Sequence, residues 1–77
     1  MNRNEIVKTW LEAHLRVAQF GIASLNVIVQ EIKFALINHP DDRPELEEAL
    51  IKAIHSVNGY KECEAEAMQK LAELEPK

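Results

Sequence analysis

Three histidines and a single cysteine are the side chains best suited to metal or covalent chemistry in this chain. His14, His39 and His55 stand 25 and 16 residues apart, so no pair has the four-residue spacing that places two metal ligands on one helical face. Cys63 has no second cysteine with which to form a disulfide or a zinc motif, and flanking acids disfavour a reactive thiolate. We therefore expect no metal and no cofactor. We expect His14 to be buried and hydrogen-bonded, and Cys63 to be a small core residue.

Catalytic motifs are also missing from the sequence. It contains no serine–histidine–acid spacing, no glycine-rich phosphate loop and no nucleotide fingerprint, and it has only two serines and one threonine. Several acids stand four residues before a base, as Glu48 does before Lys52 and Glu66 before Lys70. Such pairs stabilise exposed helices and need no catalytic explanation. We expect that the chain is not an enzyme.

Prolines divide the chain into two helical halves. Residues that precede proline avoid the helical conformation, so Pro40 and Pro44 predict a turn over residues 38–44. On either side of this turn, apolar residues recur at helical spacing, which predicts helix 1 over about residues 4–37 and helix 2 over about residues 45–74. Because the two helices have similar lengths, an antiparallel hairpin is the simplest arrangement.

One dipeptide leaves the number of helices open. Asn58-Gly59 is a typical turn or helix-end signal, and it lies inside helix 2. The fold class that we expect is all-α, with residues 1–77 forming a single helical domain. This domain is a two-helix hairpin, or a three-helix bundle if helix 2 breaks at Asn58-Gly59.

Helix 1 is apolar around more of its circumference than one neighbouring helix can cover. A seam with alternating spacings of four and three, typical of a packed helix, comprises Leu11, Leu15, Ala18, Ile22, Leu25, Val29, Ile32 and Leu36. Six further apolar residues fall outside this seam: Trp10, Val17, Phe20, Val27, Ile28 and Phe34. Helix 2 has one apolar stripe, which covers roughly a third to a half of its neighbour.

The uncovered part of helix 1 predicts self-association. A chain of 77 residues builds a core worth only about 3–5 kcal/mol, and a lone cysteine excludes an internal disulfide. We expect the hairpin to dimerise into a helical bundle through helix 1. The expected interface residues are Val17, Phe20, Ser24, Val27, Ile28 and Phe34.

The start of helix 1 carries candidate contacts for a partner. Trp10 is the only tryptophan, and tryptophan contributes strongly to binding energy at protein interfaces. Together with Arg3, Lys8 and His14 it could form a contact patch at the end of the helix. The alternative is that Trp10 covers the end of the bundle core.

Glu64 is the one charge that interrupts the apolar stripe of helix 2. A helix break or an exposed helix end would explain its position. The alternative explanation is a charge that sets the register of packing or binds a partner.

Membrane and nucleic-acid partners are not expected. The longest uncharged run, Val17–Gln30, has 14 residues, whereas a membrane span needs about 20. Residues 1–38 carry four bases and three acids, and residues 39–77 carry five bases and ten acids, without the basic cluster of a nucleic-acid binder. One thiol and an N-terminus unlike a secretory signal predict a cytoplasmic protein.

These observations predict a small, non-enzymatic regulatory or adaptor protein that binds a second copy of itself and another protein. It would be of an inhibitor, anti-activator or chaperone type. Two alternatives stay open. One is an RNA-binding hairpin dimer, similar in architecture only to the plasmid copy-number regulator Rop. The other is an oligomer that sequesters a nucleotide or another small ligand.

Overall fold

The computed structural model describes residues 2–74, nearly all of them in two long helices. Helix α1 spans Arg3–Asn38. Asn2 caps its start, because the Asn2 side-chain oxygen accepts a hydrogen bond of 2.9 Å from the backbone N–H of Glu5. The acidic side chain of Glu5 in the first turn suits the positive end of the helix dipole.

The prolines end α1 and start α2 as the sequence requires. His39 precedes Pro40 and leaves the helical conformation at φ −130° and ψ 67°, while its N–H still donates to the carbonyl of Ala35. A 3-10 turn, Pro40–Asp42, then reverses the chain. Helix α2 follows at once and spans Arg43–Leu74.

Helix α2 runs without interruption through Asn58 and Gly59. The alternative of three helices is therefore wrong. Gly59 costs only about 1 kcal/mol relative to alanine in a helix interior, and packing along the whole of α2 outweighs that cost. The described part of the chain is an all-α hairpin of two packed helices, as expected.

The predicted seam of α1 is the surface that meets α2. All eight of its residues are buried or half-buried. The buried side chains of the hairpin are Leu11, Ala18, Val29, Ala53, Val57 and Ala67. Because three of these six are alanines and none of the larger side chains is fully enclosed, the hairpin core is thin.

One close contact fixes the two helices near their middle. Three ring atoms of Tyr60 on α2 lie 2.8–2.9 Å from the point where a Cβ at Gly21 would stand. Only glycine leaves room there for the tyrosine ring. Gly21 thus allows close packing of Tyr60 on α1 and does not interrupt the helix.

Candidate functional site

A group of exposed apolar residues lies along α1, on roughly the opposite side from the seam that meets α2. Phe20 is 75% exposed and Phe34 is 70% exposed, values that are unusual for phenylalanine in a folded protein. We call this surface the outer face of α1. It comprises Ile6, Trp10, Val17, Phe20, Ser24, Val27, Ile28 and Phe34, all of them exposed.

The outer face has the spacing of a second helix-packing seam. Phe20, Val27 and Phe34 recur every seven residues, and seven residues are close to two helical turns. A second row, which contains Trp10 and Val17, also repeats every seven residues. Each of its members is three or four residues away in sequence from a position of the first row. The two rows together repeat the four-and-three pattern of the buried seam. α1 therefore has one seam against α2 and another that no described residue covers.

Small residues leave a depression at the edge of the outer face, beside α2. Gly21 and Ser24 of α1 and Ser56 of α2 line it together with Phe20 and Tyr60, and its volume is about 340 Å³. The depression opens along the groove between the helices. The surface therefore offers a projecting aromatic ring and a recess next to each other.

Trp10 lies near the N-terminal end of the outer face, with His14 beside it. Their rings stack with centroids 4.9 Å apart and an angle of 29° between the planes. Both side chains are exposed, and they line a recess of about 80 Å³ with Cys63 and Lys70 of α2.

Two expectations fail at this end of the hairpin. His14 is exposed and not buried, and Cys63 is an exposed thiol and not a core residue. Each of them is about one residue away in sequence from a member of a packed stripe. A step of one residue turns the side chain by roughly 100° around the helix, which takes it off the stripe. Trp10 is 58% exposed in the single hairpin, so its covering of a bundle core stays a prediction.

The charges beside this recess are paired with each other. The Lys70 ammonium lies 2.9 Å from a Glu66 carboxylate oxygen. This hydrogen bond and the lysine charge lower the pKa of Glu66, and the charge of nearby His14 lowers it further. Glu66 is therefore an ionised surface carboxylate at neutral pH, as an ordinary helix pair requires.

The basic residues of the predicted contact patch do not gather around Trp10. Lys8 is two residues away, and helical geometry places it about 160° around α1 from the tryptophan. Arg3 shares the side of Trp10 but lies seven residues, about 10 Å, before it. Arg3 and Lys8 are both exposed. Of the four candidates, Trp10 and His14 stack on each other.

Glu64 lies on the packed side of an unbroken helix. It is half-buried and lines a recess of about 410 Å³ with Gln19 and Asn26 from the polar strip of α1 and with Lys61. The expectation of a helix break or an exposed helix end at Glu64 is wrong. The reason is that the stripe of α2 keeps one phase on both sides of Glu64, from Leu46 to Leu74.

Sequence reasoning missed a second apolar group on α2. Ile51 is 68% exposed, and Ile54 and Met68 are also exposed. Ile54 and Met68 lie on the flank of α2 that carries Lys61, next to its packed stripe, and Ile51 lies farther around the helix. Helix 2 was predicted to have a single apolar stripe. The available signal was the interval of fourteen residues, or four turns, between Ile54 and Met68.

The structure also bears on metal sites and on membrane spans. Within residues 2–74, no group of three or more His, Cys, Asp or Glu side chains is placed to hold a metal ion. α1 contains a window that is long and apolar enough to cross a membrane, and only 6% of that window is buried in the hairpin. The same length and composition suit a helix whose outer face is covered by protein.

Comparisons with protein-family models, with curated proteins and with solved structures give no match to this chain.

Proposed function

We propose that this chain is a small non-enzymatic regulatory or adaptor protein, of an inhibitor, anti-activator or chaperone type, that acts by binding other protein chains. It works as a cytoplasmic homodimer. The observation that carries the proposal is the outer face of α1, where seven large apolar residues are exposed to solvent at helix-packing intervals. Exposed apolar surfaces of this size mark interaction sites in soluble proteins.

The total surface of the hairpin supports the need for a partner. The chain has a mass of 8.8 kDa and an accessible surface of 6187 Å². A compact monomer of that mass exposes about 4,800 Å². The excess of about 1,400 Å² is of the size that one subunit buries in a homodimer. The thin, alanine-rich core of the hairpin makes this additional burial important for stability.

A protein partner accounts for the outer face better than lipid does. A polar strip containing Glu12, Gln19 and Asn26 follows α1 along its length. Ionised and amide side chains are costly in hydrocarbon but are tolerated at the edge of a protein interface. The exposed thiol of Cys63 suits a reducing compartment such as the cytoplasm.

Sedimentation of the wild type and of Phe20→Asp tests the homodimer. Phe20 exposes about 150 Å² of apolar surface, worth about 4 kcal/mol when buried, so its loss should weaken association by about a thousandfold or more. The matched control is Glu66→Ala, which removes an exposed helix pair and should leave the sedimentation coefficient unchanged. A wild type that is a stable, folded monomer of 8.8 kDa at micromolar concentration would contradict the homodimer.

Affinity purification of the tagged chain from its native host tests the regulatory role. We expect a host protein to be retained in stoichiometric amount and identified by mass spectrometry. Retention of RNA that is lost at high salt, or of a nucleotide, would contradict the proposal and favour the corresponding alternative function.

A further inference from the structure

The exposed seam of α1 has a symmetric arrangement about its centre. Large apolar residues stand at matching distances before and after Ile22, and the central pair combines the most exposed aromatic ring of the seam with a small residue. The pairs, at twelve, five and two residues from Ile22, are Trp10 with Phe34, Val17 with Val27, and Phe20 with Ser24.

We propose that the outer face of α1 binds the same face of a second copy, with the two α1 helices antiparallel about a two-fold axis at the level of Ile22. In an antiparallel pair with this axis, each residue faces the one at the same distance on the other side of Ile22. A two-fold interface requires one surface to be complementary to itself, and the symmetric pairs meet that requirement. This inference rests on the proposed homodimer and adds its orientation and register.

The central layer combines a projection with a recess. Phe20 of each copy lies opposite Ser24 of the other, and Gly21 and Ser24 line the depression of about 340 Å³ described above. A phenylalanine ring that projects into a recess formed by small side chains is the geometry of helix packing by knobs and holes. Each copy supplies one ring and one recess.

Shifted registers place an aromatic residue of the outer face opposite a charged residue. If the two-fold axis lay half a heptad closer to the N-terminus of α1, Phe34 of one copy would lie opposite Arg3 of the other. The opposite shift would place Trp10 opposite Asp41, beyond the end of α1. The register centred on Ile22 places Trp10 and Phe34 opposite each other.

Charge also favours the antiparallel orientation. Arg3, at its start, and Glu31 are the charged residues in the row that contains Trp10 and Val17. Parallel helices would place the two copies of Glu31 against each other, which is unfavourable. In the antiparallel pair Glu31 lies opposite Ala13 of the second copy, one turn from its Arg16.

The area available matches a stable dimer. The three aromatic side chains of the outer face alone expose on the order of 400 Å², half of what one partner contributes to a standard interface. The aliphatic residues and the polar edges of the face supply the remainder. The α1 helices of the two copies would form the centre of the assembly, and each α2 would lie on the outside.

Disulfide formation between single-cysteine variants tests the orientation. In a Cys63→Ala background, we expect no linked dimer from Val17→Cys alone or from Val27→Cys alone. Because residues 17 and 27 face each other only in the antiparallel register, an equimolar mixture should link the two variants, in about half of all dimers at random pairing. Gln19→Cys mixed with Asn26→Cys, on the polar strip, is the matched control and should not link.

The outcomes separate this inference from the homodimer itself. A dimer by sedimentation in which Val17→Cys links to itself, or in which the mixture fails to link, overturns the register and leaves the homodimer standing. A monomeric wild type overturns both.

Trp10 fluorescence provides a second test on the unmodified chain. In the proposed register Trp10 packs on Phe34 of the second copy, so its emission should shift to longer wavelength as dilution dissociates the dimer. Emission that stays constant across the dissociation range contradicts the inference.

Discussion

Gly21 and Gly59 both lie in helix interiors, yet the same substitution is expected to act in opposite directions at the two sites. A Cβ added at Gly59 would meet no atom within 4 Å. Alanine is more favourable than glycine in a helix interior by about 0.8–1.0 kcal/mol. Gly59→Ala should therefore stabilise the protein by about that amount.

Gly21→Ala introduces a steric conflict that outweighs the gain in helix propensity. The new Cβ would lie 2.8–2.9 Å from three ring atoms of Tyr60, so the ring must move. Overpacking of this kind costs about 1–3 kcal/mol, against a gain of about 1 kcal/mol from helix propensity. The expected net result is a loss of up to about 2 kcal/mol.

A double-mutant cycle with Tyr60→Ala isolates the contact. Once the ring is absent, Gly21→Ala should change sign and stabilise the protein by about 1 kcal/mol. Urea unfolding followed by far-UV circular dichroism measures these differences, at one fixed protein concentration because the stability of an oligomer depends on it. If Gly59→Ala destabilises the protein, the continuous α2 is refuted. If Gly21→Ala has the same effect with and without Tyr60, the packing of the ring on α1 is refuted.

Two further predictions concern glutamates of α2. Glu64→Leu should stabilise the hairpin by about 1 kcal/mol in urea unfolding, because it replaces a half-buried carboxylate on an apolar stripe; a clear loss of stability would show that Glu64 has an essential partner. For Glu66, the folded-state pKa lies below the ordinary value of 4.5, so its contribution to stability is complete above that value and is lost as the pH falls through the lowered pKa. Glu66→Gln should therefore lose less stability than the wild type as the pH falls. If the stability of the variant falls with pH as steeply as that of the wild type, the Glu66–Lys70 pair does not stabilise the folded protein.

The sequence predicted the hairpin and its packed seam because both depend on local spacing. Alternating intervals of four and three place residues from Leu11 to Leu36 on one line along α1, whatever the partner is. Two prolines define the turn by restricting the residues around them. These features need no knowledge of the other helix.

Features that depend on the neighbouring helix were harder to predict. His14 and Cys63 each lie about one residue beside a packed stripe, and the exposure of such a flank is decided by how closely the two helices approach. That approach depends on contacts such as Tyr60 on Gly21, which spacing in one helix does not show. The continuity of α2 could have been predicted, because its stripe keeps one phase from Val57 to Ala67 across Gly59 and a break would have shifted it.

The charge of the two halves gives a further reason to expect α1 at the centre of an assembly. Residues 1–38 have a net charge of +1, whereas residues 39–77 have a net charge of −5. Two copies that met through α2 would bring two acidic surfaces together, which opposes association. Two copies that meet through α1 keep the acidic helices apart and in water. The nearly neutral helix is also the one with two packing seams, so the charge distribution and the apolar pattern favour the same arrangement.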